Sequence, residues 1–330
     1  MNLLQTTVTT QIKRIHSALR ARQLSDGALL SDPVSSTSPN WLMPYYSNLA
    51  VIGWIAGILH TGERRDFDRT RRWLMWYTQH MNPDGTIYDY TYHNGVLTSN
   101  NTYDSSDSYA ATFLEAMRDQ VQATGDARMA EDLYVRGIQR AVNAIMLTYQ
   151  SDGLTYARPD YPVKFLMDNV EVYRGLQAAA QLARRVRRYS DADAWRQRAQ
   201  RTYNAILNDL WLAQQGYYAW GKHPNGALET RLSEWYPDLM AQLMTIAWLP
   251  RTPRHETLYT TLKAHFYNLP PSLNDNAAVE KAVWWGMAAK TIGDMATLSD
   301  IRAKLLAVDL RRRNLYPLSL YGHMARVLLD

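Results

Sequence analysis

One pattern recurs along the 330-residue chain and constrains its fold more than any single motif. Ser25-Asp26-Gly27-Ala28-Leu29-Leu30, Pro83-Asp84-Gly85-Thr86-Ile87-Tyr88 and Ser151-Asp152-Gly153-Leu154-Thr155-Tyr156 each set a glycine turn before a short alternating run. Gln215-Gly216-Tyr217-Tyr218-Ala219-Trp220 repeats the pattern more loosely. A glycine followed by alternation reads as a tight turn into a strand or hairpin. A charged amphipathic segment precedes each one, and a more apolar segment rich in small residues follows. A repeated helix–hairpin–helix unit buries its apolar face on its neighbours, so the fold is set by how the units stack.

Two further helix pairs lack the hairpin. Helices with one polar face are expected over 2–22, 65–81, 127–149, 190–212, 253–267 and 296–310. Helices apolar nearly all round are expected over 44–60, 104–123, 165–186, 233–249, 276–292 and 314–329, as suits helices buried on both sides. Thr61-Gly62, Thr124-Gly125-Asp126 and Ile292-Gly293-Asp294 read as C-cap glycines running into the next helix. Twelve helices alternating outer and inner predict an all-α (α/α)6 toroid with short β-hairpins at its cavity end. The alternative is an open solenoid of helix pairs. Closure is expected, because six pairs close a toroid and the terminal pairs carry no polar capping face. No linker or shift in composition divides the chain, so residues 1–330 are expected to form one domain.

Composition narrows the function. The chain has no cysteine, which excludes disulfide scaffolds, thiolate zinc sites, iron–sulfur clusters and a cysteine nucleophile. No apolar run reaches the roughly 18 residues of a membrane span. The net charge of +5 raises a nucleic-acid partner as one reading. The basic runs at Arg184–Arg188 and Arg311–Arg313 read instead as solvated helix faces, so no nucleic-acid partner is expected. The first 23 residues form an amphipathic pattern without the apolar stretch of a secretory signal. A cytoplasmic protein is expected, or a secreted one whose signal has been removed. Against 22 Tyr and 11 Trp there are only 4 Phe. Tyr and Trp offer a flat apolar face with a polar tip, which suits a half-wet surface gripping a polar ligand.

In a toroid of this kind the inner helices begin at one end, and their first turns look into the cavity mouth. Helix N-termini also favour anionic groups. Asp104 and Asp107 stand three apart at the second inner helix, and Asp168 and Glu171 repeat that spacing at the third. A capping box, with Asp168 as the cap and Glu171 three residues on, is the structural alternative for the latter pair. The fourth inner helix opens with Glu234, Trp235, Tyr236 and Asp238, acids beside aromatics as in a sugar subsite. At the fifth, Asp275 or Asn276 reads as a cap and Glu280 follows. The first helix offers Trp41, Tyr45 and Tyr46 but no acid. Tyr88, Tyr103, Arg158 and Trp220 add stacking and hydrogen-bonding groups from the hairpins and the approach to the second helix.

This arrangement resembles the six-hairpin glycosidase superfamily of (α/α)6 carbohydrate-active enzymes. The stretch from Asp104 through Asp107 to Ala110 is similar to the acidic start of an inner helix in that superfamily. Met167-Asp168-Asn169-Val170 resembles the Asp-bearing inner helix of unsaturated glucuronyl hydrolases. The resemblance implies that Asp107 and Asp168 face each other as the catalytic pair. Residues 39–46 lack the acidic first inner helix of endoglucanases and chitosanases, and residues 314–317 lack the base near the last pair of glucoamylase-like enzymes.

A glycoside hydrolase is therefore expected. One carboxylic acid protonates the leaving oxygen, and one carboxylate activates water or attacks carbon. Asp107, Asp168, Glu171 and Glu234 are the catalytic candidates. Trp41, Tyr45, Tyr46, Tyr88, Tyr103, Asp104, Arg158, Trp220, Trp235, Tyr236 and Asp238 are the substrate-binding ones. The partner is a carbohydrate, and no cofactor or metal is required. A non-catalytic carbohydrate-binding toroid and a polysaccharide lyase of the same fold are the alternatives.

Overall fold

A computed structural model describes residues 3–35 and 38–329. The start of the first expected helix, residue 2, lies outside the described residues. Six outer elements alternate with six inner ones along the chain. The outer set is α1 (Leu3–Arg20), α3 (Phe67–His80), α5 with α6 (Ala127–Asp132 and Arg140–Met146), α8 (Tyr189–Asp209), α10 (Pro253–Phe266) and α12 (Met295–Leu306). The inner set is α2 (Pro44–Thr61), α4 (Ser106–Thr124), α7 (Leu166–Arg185), α9 (Met240–Trp248), α11 (Asn276–Ile292) and α13 (Ser319–Leu328).

Each inner helix packs on the next, and α13 returns to pack on α2, so the ring is closed rather than an open solenoid. The sequence distinction between the two sets is a distinction in burial. Inner α2 buries every residue from Ser47 to Ile55, whereas outer α3 buries one face through residues such as Trp73, Leu74, Trp76 and Tyr77. Small residues bring the inner helices close. A Cβ on Gly53 would overlap the Gly322 backbone, and one on Gly175 would stand 2.5 Å from the Ala111 Cα.

The expected helix ends form as the cap residues dictate. Gly62, Gly125 and Gly293 take left-handed conformations at the ends of α2, α4 and α11. Asp126, Asp275 and Asp294 accept backbone N–H groups at the starts of α5, α11 and α12. Three differences from the expected spans stand out. The third outer helix is interrupted by a π-helical turn at Tyr134–Gln139. The fourth inner helix starts through a second such turn at Trp235–Leu239, where Tyr236 keeps an extended backbone. The last inner helix begins at Ser319 rather than 314, because Pro317 biases the residue before it away from helix.

The glycine turns dock the units onto one another. Gly27, Gly85 and Gly153 all have φ between 90° and 108°. Each faces a main-chain carbonyl of the following outer helix, at Arg72, Arg140 and Arg201 respectively; a side chain would collide with it at Gly27 and Gly85 and press closely on it at Gly153. At this end β1 (Asn40–Leu42), β2 (Tyr90–His93) and β3 (Val96–Ser99) form one antiparallel sheet. β4 (Lys164–Phe165) pairs with β7 (Gly221–Lys222), which pairs with β8 (Leu228–Glu229). β5 (Trp211–Leu212) pairs with β6 (Tyr217–Tyr218). No helix among the described residues is long and apolar enough to cross a membrane.

Candidate active site

Two cavities meet at the hairpin end of the ring. The inner one, about 260 Å³, is a well to which all six inner elements contribute. Its wall carries Tyr45 and Tyr46 of α2, Ser108 of α4, Asp168 of α7 and Glu280 of α11, while Trp284 lies one turn below Glu280 and His323 one turn below the start of α13. The outer one, about 320 Å³, is lined by aromatic side chains, among them Tyr161, Phe165 and Trp220. Five residues border both: Asp104, Ser105, Met167, Asp168 and Tyr236.

The four acids of α4 and α7 hold different positions. Asp104 lies just before α4, exposed to solvent, and makes no side-chain cap to the helix, whose cap position is Ser105. Asp107 is fully buried and turned away from both cavities. It accepts the Thr155 hydroxyl at 2.5 Å and the Ser108 N–H at 2.8 Å. Thr155 in turn contacts Asn169 of α7 through both its N–H, at 2.8 Å, and its hydroxyl, at 3.2 Å. Asp168 is half-buried in the first turn of α7. The capping box does not form, because α7 begins at Leu166 and makes no side-chain cap bond. Glu171, one turn deeper and buried, accepts the Tyr45 hydroxyl at 2.8 Å.

Burial raises the proton affinity of three of these acids. Loss of solvation is the main cause for Asp168, and the carboxylates of Asp107, Glu171 and Asp104 add to it. Glu171 is held well above the usual carboxylate range, again chiefly by burial. Burial pushes the Asp107 carboxyl up to about 7 against the hydrogen bonds that favour its anion.

This has a consequence for stability. A group that binds its proton more tightly when folded contributes stability below its unfolded pKa and loses it as pH rises through the folded value. For Asp107 the window runs from about pH 4 to about pH 7. A rise of that size corresponds to an amount on the order of 4 kcal/mol. Asp107→Asn keeps the shape and an acceptor for the Ser108 N–H. Its stability should match the parent's near pH 3 and exceed it at pH 8, measured by urea unfolding. Equal stability of the two at pH 8 would contradict a proton held on Asp107.

The remaining expected residues scatter. Tyr45, Tyr46, Trp220 and Tyr236 line the cavities. Trp235 does not line them but donates its indole N–H to Glu280 at 2.8 Å. Glu234 is exposed and lines neither cavity. Asp238 is buried, and its carboxylate is committed to Arg231 and to the Ser233 and Glu234 N–H groups. Tyr88 and Tyr103 stack on each other, and Arg158 donates to the Tyr103 carbonyl. Trp41 sits on β1, opposite Thr91 and away from both cavities. The structure adds Glu280, Trp284, Ser319 and His323 to the lining. It also puts Asp89 behind Tyr109, whose hydroxyl it accepts at 3.0 Å; burial pushes Asp89 up to about 6.

The chain matches no family model and no curated protein. Among solved structures it is similar to a rhamnosidase from Klebsiella oxytoca with rhamnose bound, at 18% identity and a TM-score of 0.61 over 89% of this chain. It spans only 54% of that rhamnosidase. A family 8 endoglucanase from Klebsiella pneumoniae is similar at 11% identity and a TM-score of 0.60, with 96% of this chain and 98% of the other covered. A protein described as a glycosidase, in its wild-type form, gives 11% identity and a TM-score of 0.64 over 98% and 96% of the two chains. These likenesses show that the chain shares the (α/α)6 fold of those proteins.

Proposed function

We propose that the protein is a glycoside hydrolase whose reaction centre lies where the two cavities meet. One observation carries this reading: Asp104 and Asp168 border both cavities, one exposed and the other in a setting that retains its proton. Glycoside hydrolysis needs such an asymmetric pair, an acid that keeps its proton near neutral pH and an ionised carboxylate. Asp168 is the general acid that protonates the leaving oxygen. Asp104 is the carboxylate that activates water or attacks the anomeric carbon. Burial is what chiefly keeps the proton on Asp168, and any charge on Asp107 or Glu171 would oppose its loss further. This assigns the partner of Asp168 to Asp104, since the Asp107 carboxylate is walled off on Thr155.

Tyr236 is largely exposed at the rim and borders both cavities, so its ring is free to stack on a sugar. Tyr236→Ala should raise KM about tenfold, the equivalent of roughly 1.4 kcal/mol of stacking, with an unchanged Tm. Trp41→Ala, remote from both cavities, should change neither. The founding test is release of reducing sugar by the wild type from a panel of oligosaccharides and aryl glycosides. Binding without release on every member would favour a carbohydrate-binding toroid instead.

A further inference from the structure

The inner well has a floor. Its deepest residues, Trp284 and His323, are almost wholly buried. Beneath them Trp248 packs on Trp284 with ring centroids 5.0 Å apart and on His323 at 5.9 Å. The guanidinium groups of Arg174 and Arg326 stand 5.1 and 5.3 Å from the Trp248 ring. Arg174 is itself fixed by Glu115, its Nε donating to both carboxylate oxygens at 2.9 Å. This stack separates the well from the depression at the opposite end of the barrel, which Trp248 also borders. No sugar chain can pass along the axis. The lining spans about one helical turn, roughly 5.4 Å, from residues such as Tyr45 and Glu280 down to Leu49 and Trp284.

A polar atom at this depth, His323 Nδ1, is buried without a hydrogen-bond partner. Buried polar groups are ordinarily satisfied. The charge of the lining is one-sided. Asp104, Asp168 and Glu280 border the cavities, and no lysine or arginine is among the described lining residues. Burial, helped by the Arg326 charge, pushes the His323 imidazole down to about 3, so it brings no positive charge either. An anionic sugar would add a further negative charge to this setting with no cation to receive it.

Resting on the hydrolase reading, we infer that the enzyme works from a chain end: one uncharged terminal sugar fills the blind well, the leaving group lies in the aromatic outer cavity, and the bond between them is cut. Water adds across that bond. Its hydroxyl goes to the anomeric carbon of the sugar in the well, and the leaving oxygen departs with a proton.

The test uses the full chain with 4-nitrophenyl glycosides of neutral monosaccharides in both anomeric forms, 4-nitrophenyl glucuronides, and neutral oligosaccharides labelled at the reducing end. The expected result is 4-nitrophenol from at least one neutral monosaccharide, none from the glucuronides, and shortening of a matching oligosaccharide by one residue at a time. Mixed-length oligosaccharides as first products, with every aryl monosaccharide untouched, would overturn chain-end action and leave the hydrolase reading intact. Cleavage of a glucuronide would overturn the uncharged terminal sugar. Absence of hydrolysis across the whole panel would overturn the hydrolase reading and this inference with it.

Discussion

Asp168→Asn should lower kcat by at least about 10²-fold on substrates with poor leaving groups while folding as well as the parent. Loss of solvation, reinforced by the Asp107, Glu171 and Asp104 carboxylates, keeps the Asp168 carboxyl protonated. A neutral amide of nearly the same shape therefore replaces a neutral acid, and packing around α7 has no reason to change. The linkage runs in the same direction as for Asp107. The raised folded pKa means that wild-type stability falls as pH climbs from the unfolded carboxylate value through the folded one, and the amide removes that loss. Melting temperatures at pH 8 should thus be equal to the parent's or higher. The kinetic loss should depend on the leaving group. A 2,4-dinitrophenyl glycoside needs little protonation at its oxygen, so Asp168→Asn should retain far more activity on it than on an alkyl glycoside. Asp104→Asn should impair both, because activation of water or attack on carbon is needed whatever departs. Wild-type activity should persist to neutral pH and decline where Asp168 loses its proton. Undiminished turnover of the alkyl glycoside by Asp168→Asn would remove the acid role from this residue and move it to Glu171.

Most of the architecture was legible because periodicity and caps act locally. Gly62, Gly125 and Gly293 end helices where their sequence context says they should, and Asp126, Asp275 and Asp294 start them. The acids were legible as a group for the same reason, since helix starts share one end of the ring. Which acid faces the cavity was not. A spacing of three puts Asp104 and Asp107 on one face only if both are helical, but α4 begins at Ser106. Asp104 therefore looks into the mouth, while Asp107 turns back to Thr155, a partner 48 residues away that a helical wheel does not display. Asp238 resembled a subsite acid and is held by its own turn. The floor was missed because Trp284 and His323 sit inside apolar helices, past their first turns, and read as ordinary core. The excess of aromatic residues is also in large part packing. Trp54, Trp73, Trp76, Trp284 and Trp285 are all fully buried, and of these only Trp284 lines either cavity.

Gly322→Ala and Gly53→Ala should each cost the fold about 2 to 4 kcal/mol, because they strike the seam where the ring closes. A Cβ on Gly53 of α2 would overlap the backbone of Gly322, and a Cβ on Gly322 of α13 would overlap the Leu49 carbonyl oxygen. The obstacle is main chain on both sides, so no rotamer change relieves it and the two helices must move apart. Alanine also gains roughly 1 kcal/mol of helix propensity over glycine, which offsets part of the loss and keeps the expected net below a larger figure. The thermal unfolding midpoint should fall by about 3 to 6 °C. Gly62→Ala is the comparison. Gly62 has φ 73°, and nothing stands within 4 Å of the added methyl, so its cost is the left-handed backbone alone, about 1 to 2 kcal/mol. An open solenoid would leave the last inner helix unpaired with the first, and Gly322→Ala would then be neutral or stabilising through propensity. The double substitution separates the cases further. Once the first methyl has forced α2 and α13 apart, the second meets less resistance, so the pair should cost clearly less than the sum of the singles. Additive costs would mean that the two glycines do not share one contact.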